Sequence, residues 1–276
     1  MTIAFTEIAD RVYLLRHPVL DVNVTLLVGA DAALIVDTLS TPAQAAELVA
    51  AARTLTPHPW TVVNTHHHFD HCFGNAVLAG DPPRPIYAHE ETATLLREQP
   101  EAVRRWAYDE MRLTEPALAE ELVGVTILAP THPVRSSASL DIGGRPVVLR
   151  FLGRGHTGGD LTVHFPDADV LIAGDLVEES GPPHFGESYP LEWPETVAAL
   201  LRLATPRTTV VPGHGAVVDV DRVHAQHADL TTLAWLIRDG HADDVPPERV
   251  AAQAPFGPRP ALTAVHRGYA ELTGDA

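Results

Sequence analysis

Thr65-His66-His67-His68-Phe69-Asp70-His71 is the stretch on which the reading of this chain turns, because it sets four candidate metal ligands, His66, His68, Asp70 and His71, within six residues. The compact apolar run at residues 60–64 predicts a buried strand that ends directly in this motif. In extended backbone alternate side chains share a face, so His66 and His68 converge while His67 points away. Asp70 and His71 follow as the chain turns, so they face a neighbouring point. Zinc takes imidazole nitrogen and carboxylate oxygen at about 2.0–2.2 Å, so a loop this short can feed two ions.

Two ligands from one strand end are too few for tight binding, and three later segments offer more: Gly153-Arg-Gly-His156-Thr-Gly-Gly-Asp160, Ala173-Gly-Asp175-Leu176 and Pro212-Gly-His214-Gly215. Each puts one His or Asp beside glycines, which let the backbone turn sharply in a crowded cage. His156 completes three histidines around a first ion, Asp175 can bridge both ions, and His214 joins Asp70 and His71 on the second. Any one of these histidines, taken alone, is more often a packed or surface residue. It is the ordered set that points to a metal centre.

Around these motifs the pattern is strands, helix, strand, helices, strands, helix, strand, helix. Val12–Arg16, Asn23–Val28 and residues 33–37 read as a β meander. Ser40-Thr-Pro-Ala supplies an N-cap and an early-helix proline for a helix over residues 43–53. Helices are predicted at Glu90–Glu98, 102–112, Pro116–Val123 and 193–204, and strands at 147–152, Leu161–Phe165, 170–173 and 209–211. The rest, from about residue 219, is mostly helix interrupted at Pro246-Pro247 and at residues 255–260. Such a mixture suits helices packed outside two largely antiparallel sheets in a single domain, with a helical C-terminal segment from about residue 220.

Composition narrows the function. With 36 acidic against 19 basic residues the net charge is −17, a field that repels phosphate backbones, so no nucleic-acid partner is expected. One cysteine, Cys72, excludes an internal disulfide framework and fits a reducing cytoplasm. Residues 1–10 carry no signal-peptide pattern, and no apolar run approaches the roughly 18–20 residues that span a bilayer, so no membrane partner is expected.

In the order and spacing of residues 65–71, His156, Asp175 and His214, the sequence resembles the metallo-β-lactamase-fold hydrolases. The resemblance runs from residue 65 to 215. It implies an α/β (α+β) chain folded as a four-layer αββα sandwich, holding two Zn²⁺, with iron or manganese as alternatives. The first ion falls to His66, His68 and His156, the second to Asp70, His71, Asp175 and His214. A zinc-bound water, its pKa lowered to around 7, would attack a carbonyl. Asp70, carried over as the catalytic group, would orient that water and pass its proton on. Zinc β-lactamases usually carry Cys or Ser where Asp175 stands, whereas Asp is similar to glyoxalase-II-type thioesterases, lactonases and phosphodiesterases. The expectation is a di-zinc hydrolase of an ester, thioester, lactone or amide bond in a small molecule. The rivals are β-lactam or phosphodiester hydrolysis at the same cage and, in another class, a metal-binding or redox-partner protein without turnover. A homo-oligomer is compatible with all of these.

Other residues take supporting roles. His184 and Tyr189, in the irregular stretch after Asp175, are candidates for substrate binding, with Phe185 beside them. Trp106, Tyr108 and Met111 either face the cleft or lie in the core. Cys72, beside His71, reads as a small buried residue rather than a further ligand, and His67 as a residue that supports a ligand from behind or packs. Thr157, Asp160 and Asp37 are candidates for holding ligands from behind.

Overall fold

The computed structural model describes residues 3–274. Within them the chain falls into two compact units: residues 3–151 with Leu161–Ala168, and Leu152–Asp160 with residues 169–274.

In the first unit β1 (Thr6–Ala9), β2 (Val12–Arg16), β3 (Asn23–Val28) and β4 (Ala33–Val36) pair antiparallel in chain order. The helix α1 (Pro42–Leu55) crosses over, and β5 (Trp60–Val63) lies parallel to β4. Two short helices, α2 (Phe69–Cys72) and α3 (Asn75–Ala79), lead to a parallel β6 (Ile86–His89). Three more, α4 (Glu90–Glu98), α5 (Pro100–Met111) and α6 (Pro116–Val123), lead to a parallel β7 (His132–Val134). These seven strands form one sheet. A second ladder joins β8 (Ser137–Asp141), β9 (Pro146–Phe151) and β10 (Leu161–Phe165), all antiparallel.

The expectation of largely antiparallel sheets therefore holds only through β4 in the large sheet. Parallel neighbours need a crossover of a dozen or more residues, and each helical connection after β4 supplies one. β3 and β4 are buried along their whole length, as apolar strands covered on both faces are. Pro42 opens α1, and Thr41 caps it by accepting a hydrogen bond from the Gln44 amide at 3.3 Å. Its inner residues Ala45, Leu48 and Ala52 share one core with Leu26, Ile35 and Val62. A separate core gathers Leu96, Val103, Ala107 and Leu122 of α4–α6 around Phe69 and Phe73, so these helices pack on the short helix that follows the histidine motif.

The second unit holds a parallel pair, β11 (Val170–Gly174) and β12 (Thr209–Pro212), connected through α7 (Trp193–Leu201). It ends in α8 (Val220–Ala242), α9 (Pro247–Ala251) and α10 (Pro258–Thr273), broken at the prolines that the sequence marks. Leu171, Trp193, Leu200, Val210, Leu230, Ile237 and Val265 form its core. Trp193 Nε1 donates to the Leu176 carbonyl at 3.1 Å, which satisfies the polar edge of a fully buried ring.

Several elements were not anticipated: β1, β6, β7, β8, α2 and α3. All are short. The strand β8 reads Ser-Ala-Ser-Leu-Asp and β7 contains a proline, so neither shows an apolar alternation, and pairing with a neighbour holds them extended. Among the described residues no helix is long and apolar enough to cross a membrane.

The large sheet's stability rests on residues such as Ile35, fully buried in β4. Replacing Ile35 with Ala is expected to cost about 2–5 kcal/mol, seen as a lower midpoint in urea unfolding; an unchanged midpoint would contradict this packing.

Candidate metal centre

In the first unit the motif begins where β5 ends. His68 is extended (φ −64°, ψ 148°) and stands at the N-cap of α2, so the chain passes from alternating side chains into one helical turn carrying Asp70 and His71. His66 and His68 ring centroids are 4.6 Å apart and those of His66 and His71 4.4 Å, whereas His67 is 6.4 Å from His66. His67 is farther from His66 but its ring lies 4.9 Å from that of His68, so it diverges from the first histidine and not from the second. All of these residues are buried.

One carboxylate organises them. Asp37 sits just past β4 in the left-handed region (φ 68°), which an aspartate tolerates better than most side chains. Its Oδ1 accepts the Thr65 amide at 2.8 Å, and its Oδ2 accepts the Thr65 hydroxyl at 2.9 Å. Oδ2 also lies 2.8 Å from His71 Nδ1. A carboxylate hydrogen-bonded to Nδ1 leaves the lone pair on Nε2, and His71 Nε2 lies 3.6 Å from Asp70 Oδ2. Burial pushes the Asp37 carboxyl up, against the pull of His71 and Thr65. Behind it, the side-chain amides of Asn64 and Asn75 pair with each other at 2.8 and 3.0 Å, and the Thr38 hydroxyl and Asn64 Nδ2 both donate to the His71 carbonyl.

Three neighbours of the motif are also placed. The indole of Trp106 stacks on the His68 ring at 4.8 Å and 24°, which puts α5 over the motif. Cys72 is buried, and its thiol donates to the His67 carbonyl at 3.1 Å, with burial pushing its pKa well up. Met111 is buried in the helical core and Tyr108 half-buried beside it.

The second unit gathers its own donors. Asp175 follows β11 directly, His214 follows β12, and His156 lies in the loop after β9. Asp175 Oδ2 stands 3.3 Å from His156 Nε2 and 3.4 Å from His214 Nε2, so one carboxylate oxygen faces two imidazoles. His156 Nδ1 is 3.2 Å from the His184 carbonyl; a carbonyl only accepts, so Nδ1 carries the hydrogen and Nε2 the lone pair. Gly213 is required by close approach: a Cβ there would stand 1.7 Å from Asp175 Oδ1. The Glu179 carboxylate accepts the Ala216 amide at 2.7 Å, which braces the turn carrying His214.

Asp160 accepts the Thr157 amide (2.9 Å) and hydroxyl (2.7 Å) and so closes the turn after His156. Burial pushes it up to about 7, against the Thr157 bonds that draw it down and with Asp175 adding to the rise. Of the residues expected to bind substrate, His184 has an exposed side chain and serves His156 through its backbone carbonyl. Tyr189 is half-buried; its amide donates to the Gly155 carbonyl at 2.8 Å, and the guanidiniums of Arg154 and Arg267 lie 4.0 and 5.7 Å from its ring. Phe185 is buried against Trp193.

One acidic residue was not anticipated. Glu178, buried three residues past Asp175, offers an oxygen within 4.8 Å of donor atoms on Asp175 and His214. Its only trace in the sequence is its place on the segment that carries Asp175.

Closely gathered nitrogen and oxygen donors, with His71 and His156 held from behind, are what a transition-metal ion requires, and each unit carries a set of that kind. Comparison with known proteins agrees. The model of the metallo-β-lactamase superfamily matches residues 17–214, and the chain belongs to that superfamily, a class of metal-dependent hydrolases. The metallo-β-lactamase IND-1 of Chryseobacterium indologenes is 33% identical over 87 residues, 30% of this chain and 36% of the relative. A type 2 metallo-β-lactamase of Bacillus cereus is 27% identical over 161 residues, 57% of this chain and 52% of the relative. The matches thus span about half or less of those relatives. Among solved structures, the DIM-1 metallo-β-lactamase has a TM-score of 0.67 at 19% identity, covering 84% of this chain and 98% of its own. A metallo-β-lactamase from Pontibacter korlensis scores 0.66 at 20% identity, covering 83% and 99%. The fold is that of the metallo-β-lactamases, a mixed α/β chain with helices and two sheets.

Two substitutions test the arrangement without touching a ligand. Asp37→Ala should weaken zinc binding by about 10–100-fold in a chelator competition, because His71 loses the group that orients it; unchanged affinity would remove that role. In Gly213→Ala the new methyl must displace Asp175, so metal content should fall while circular dichroism stays near wild type. Full metal content in that variant would show that Asp175 is not held as described.

Proposed function

We propose that this chain is a di-zinc hydrolase of an ester, thioester, lactone or amide bond in a small molecule, its two units working as one catalytic domain. The reading assigns His66, His68 and His156 to one ion, Asp70, His71 and His214 to the other, and Asp175 to both. The observation that carries it is the Asp175 oxygen 3.3 and 3.4 Å from two imidazole Nε2 atoms, the setting of a bridging carboxylate. Zinc suits the imidazole-rich donors, with iron and manganese as alternatives.

Bound ions would lower the pKa of water from about 15.7 to around 7 and polarise the scissile carbonyl. The chain's own residues do the rest. Asp70 is buried with one oxygen 3.6 Å from His71 Nε2, and it is the group assigned to orient the attacking water and take its proton. His71 is kept in one tautomer by Asp37, and His156 by the His184 carbonyl, so neither imidazole has to reorganise during a turnover. Trp106, stacked on His68, keeps that ring from rotating and shields it from water. The substrate is a small molecule, His184 and Tyr189 are the side chains assigned to meet it, and the single cysteine suits a cytoplasmic enzyme.

The relatives' names favour a second reading, β-lactam hydrolysis. Asp at position 175, where the zinc β-lactamases it resembles usually carry Cys or Ser, favours the first. Turnover of nitrocefin, a thioester, a lactone and bis(p-nitrophenyl) phosphate by the zinc-loaded protein separates them. Asp70→Ala should lower the preferred turnover by about 100-fold or more with the fold retained, and wild-type rates in that variant would refute the assignment.

A further inference from the structure

We propose that Glu178 is a metal ligand in its own right, giving the ion held by Asp175 and His214 a further carboxylate oxygen; the proposal rests on the binuclear reading above. Asp175, Glu178 and His214 each offer a donor atom, and the three atoms lie within 4.8 Å of one another, a spread that one cation can span. Asp175 is 5% exposed and Glu178 6%. Two carboxylates this close and this buried repel one another as anions, and a divalent cation between them reverses the sign of that interaction.

The backbone is built to hold Glu178 there. Its amide donates to Gln226 Oε1 at 2.9 Å and its carbonyl accepts from the Arg222 guanidinium at 3.1 Å. Gln226 Nε2 also donates to the Leu176 carbonyl at 2.8 Å, so one turn of α8 clamps the main chain on both sides of Val177. Asp175 itself is pressed against Gly213. The main chain that carries Asp175 and Glu178 is therefore held by Gln226 and Arg222 of α8 and packed against Gly213. Glu178 would make the ion of Asp175 and His214 richer in oxygen donors than the one assigned to His66, His68 and His156, and oxygen donors favour harder ions than imidazole does.

The test uses the full chain, stripped with chelator and titrated with zinc alone, followed by metal analysis and competition with a chromogenic chelator. Wild type should take up two ions per chain. Glu178→Gln keeps the shape of the side chain and removes its charge. It should bind the first ion as wild type does and the second at least about tenfold more weakly. Replacing zinc by Co²⁺ gives a readout that a merely structural role would not move: exchanging a carboxylate donor for a neutral amide oxygen weakens the ligand field and should change the visible absorption of the second ion. Glu178→Asp, one methylene shorter, should fall between wild type and Glu178→Gln, and it decides the matter if Glu178→Gln fails to fold. Unchanged second-ion affinity and Co²⁺ spectrum in the folded variants would overturn the role of Glu178 while leaving the binuclear reading intact. A wild-type chain that takes up fewer than two ions would overturn both.

Discussion

A buried carboxylate in a left-handed backbone position holds the histidine motif of the first unit together. Asp37 accepts from the amide and hydroxyl of Thr65 and orients His71, so one side chain ties the end of β4 to the end of β5 and to α2. These bonds add to the main-chain bonds from Asp37 to the Val63 carbonyl and from Thr38 to the His71 carbonyl, which join the same segments. With them, His66, His68, Asp70 and His71 share one frame. The cost of burying the charge is offset locally by hydrogen bonds to its oxygens, and the raised pKa of Asp37 is the residue of that cost.

The second unit solves the same problem with different chemistry. Here the fixed point is close packing: Gly213 leaves room for Asp175 that no larger residue would. The parallel ladder of β11 and β12 sets Asp175 and His214 side by side, because both follow adjacent strands that run the same way. Chemistry at the carboxyl ends of parallel strands is a general habit of α/β proteins, and it arises from this geometry. Hydrogen bonds from α8 and the Asp160 turn then stiffen the flanking loops.

Buried charge occurs in each unit. The chain carries a net −17, and Asp37, Asp70, Asp160, Asp175 and Glu178 are all buried. Burial pushes Asp160 up to about 7, with Asp175 adding to the rise and the Thr157 bonds opposing it. Cations at the centre would relieve that burden, so folding and metal uptake are thermodynamically linked in such a design.

Much of this was legible in the sequence, and the boundary is physical. The alternation that puts His66 and His68 on one face, the turn that swings Asp70 and His71 away, and the glycines around His156, Asp175 and His214 are local properties of backbone, written within a few residues. The expected donor set and the resemblance to the family followed from them, and the family is shown. The meander of β2–β4, the capped helix after it and the proline breaks near residues 246 and 258 are local in the same sense. Tertiary structure alone decided the remainder. Asp37 meets Thr65 and His71 across 28 and 34 residues, Trp106 reaches His68 from a different helix, and Glu178 owes its place to Gln226, 48 residues on. The parallel half of the large sheet depended on which way each crossover ran. Such partners are chosen by packing between distant segments, and a linear pattern carries no term for that.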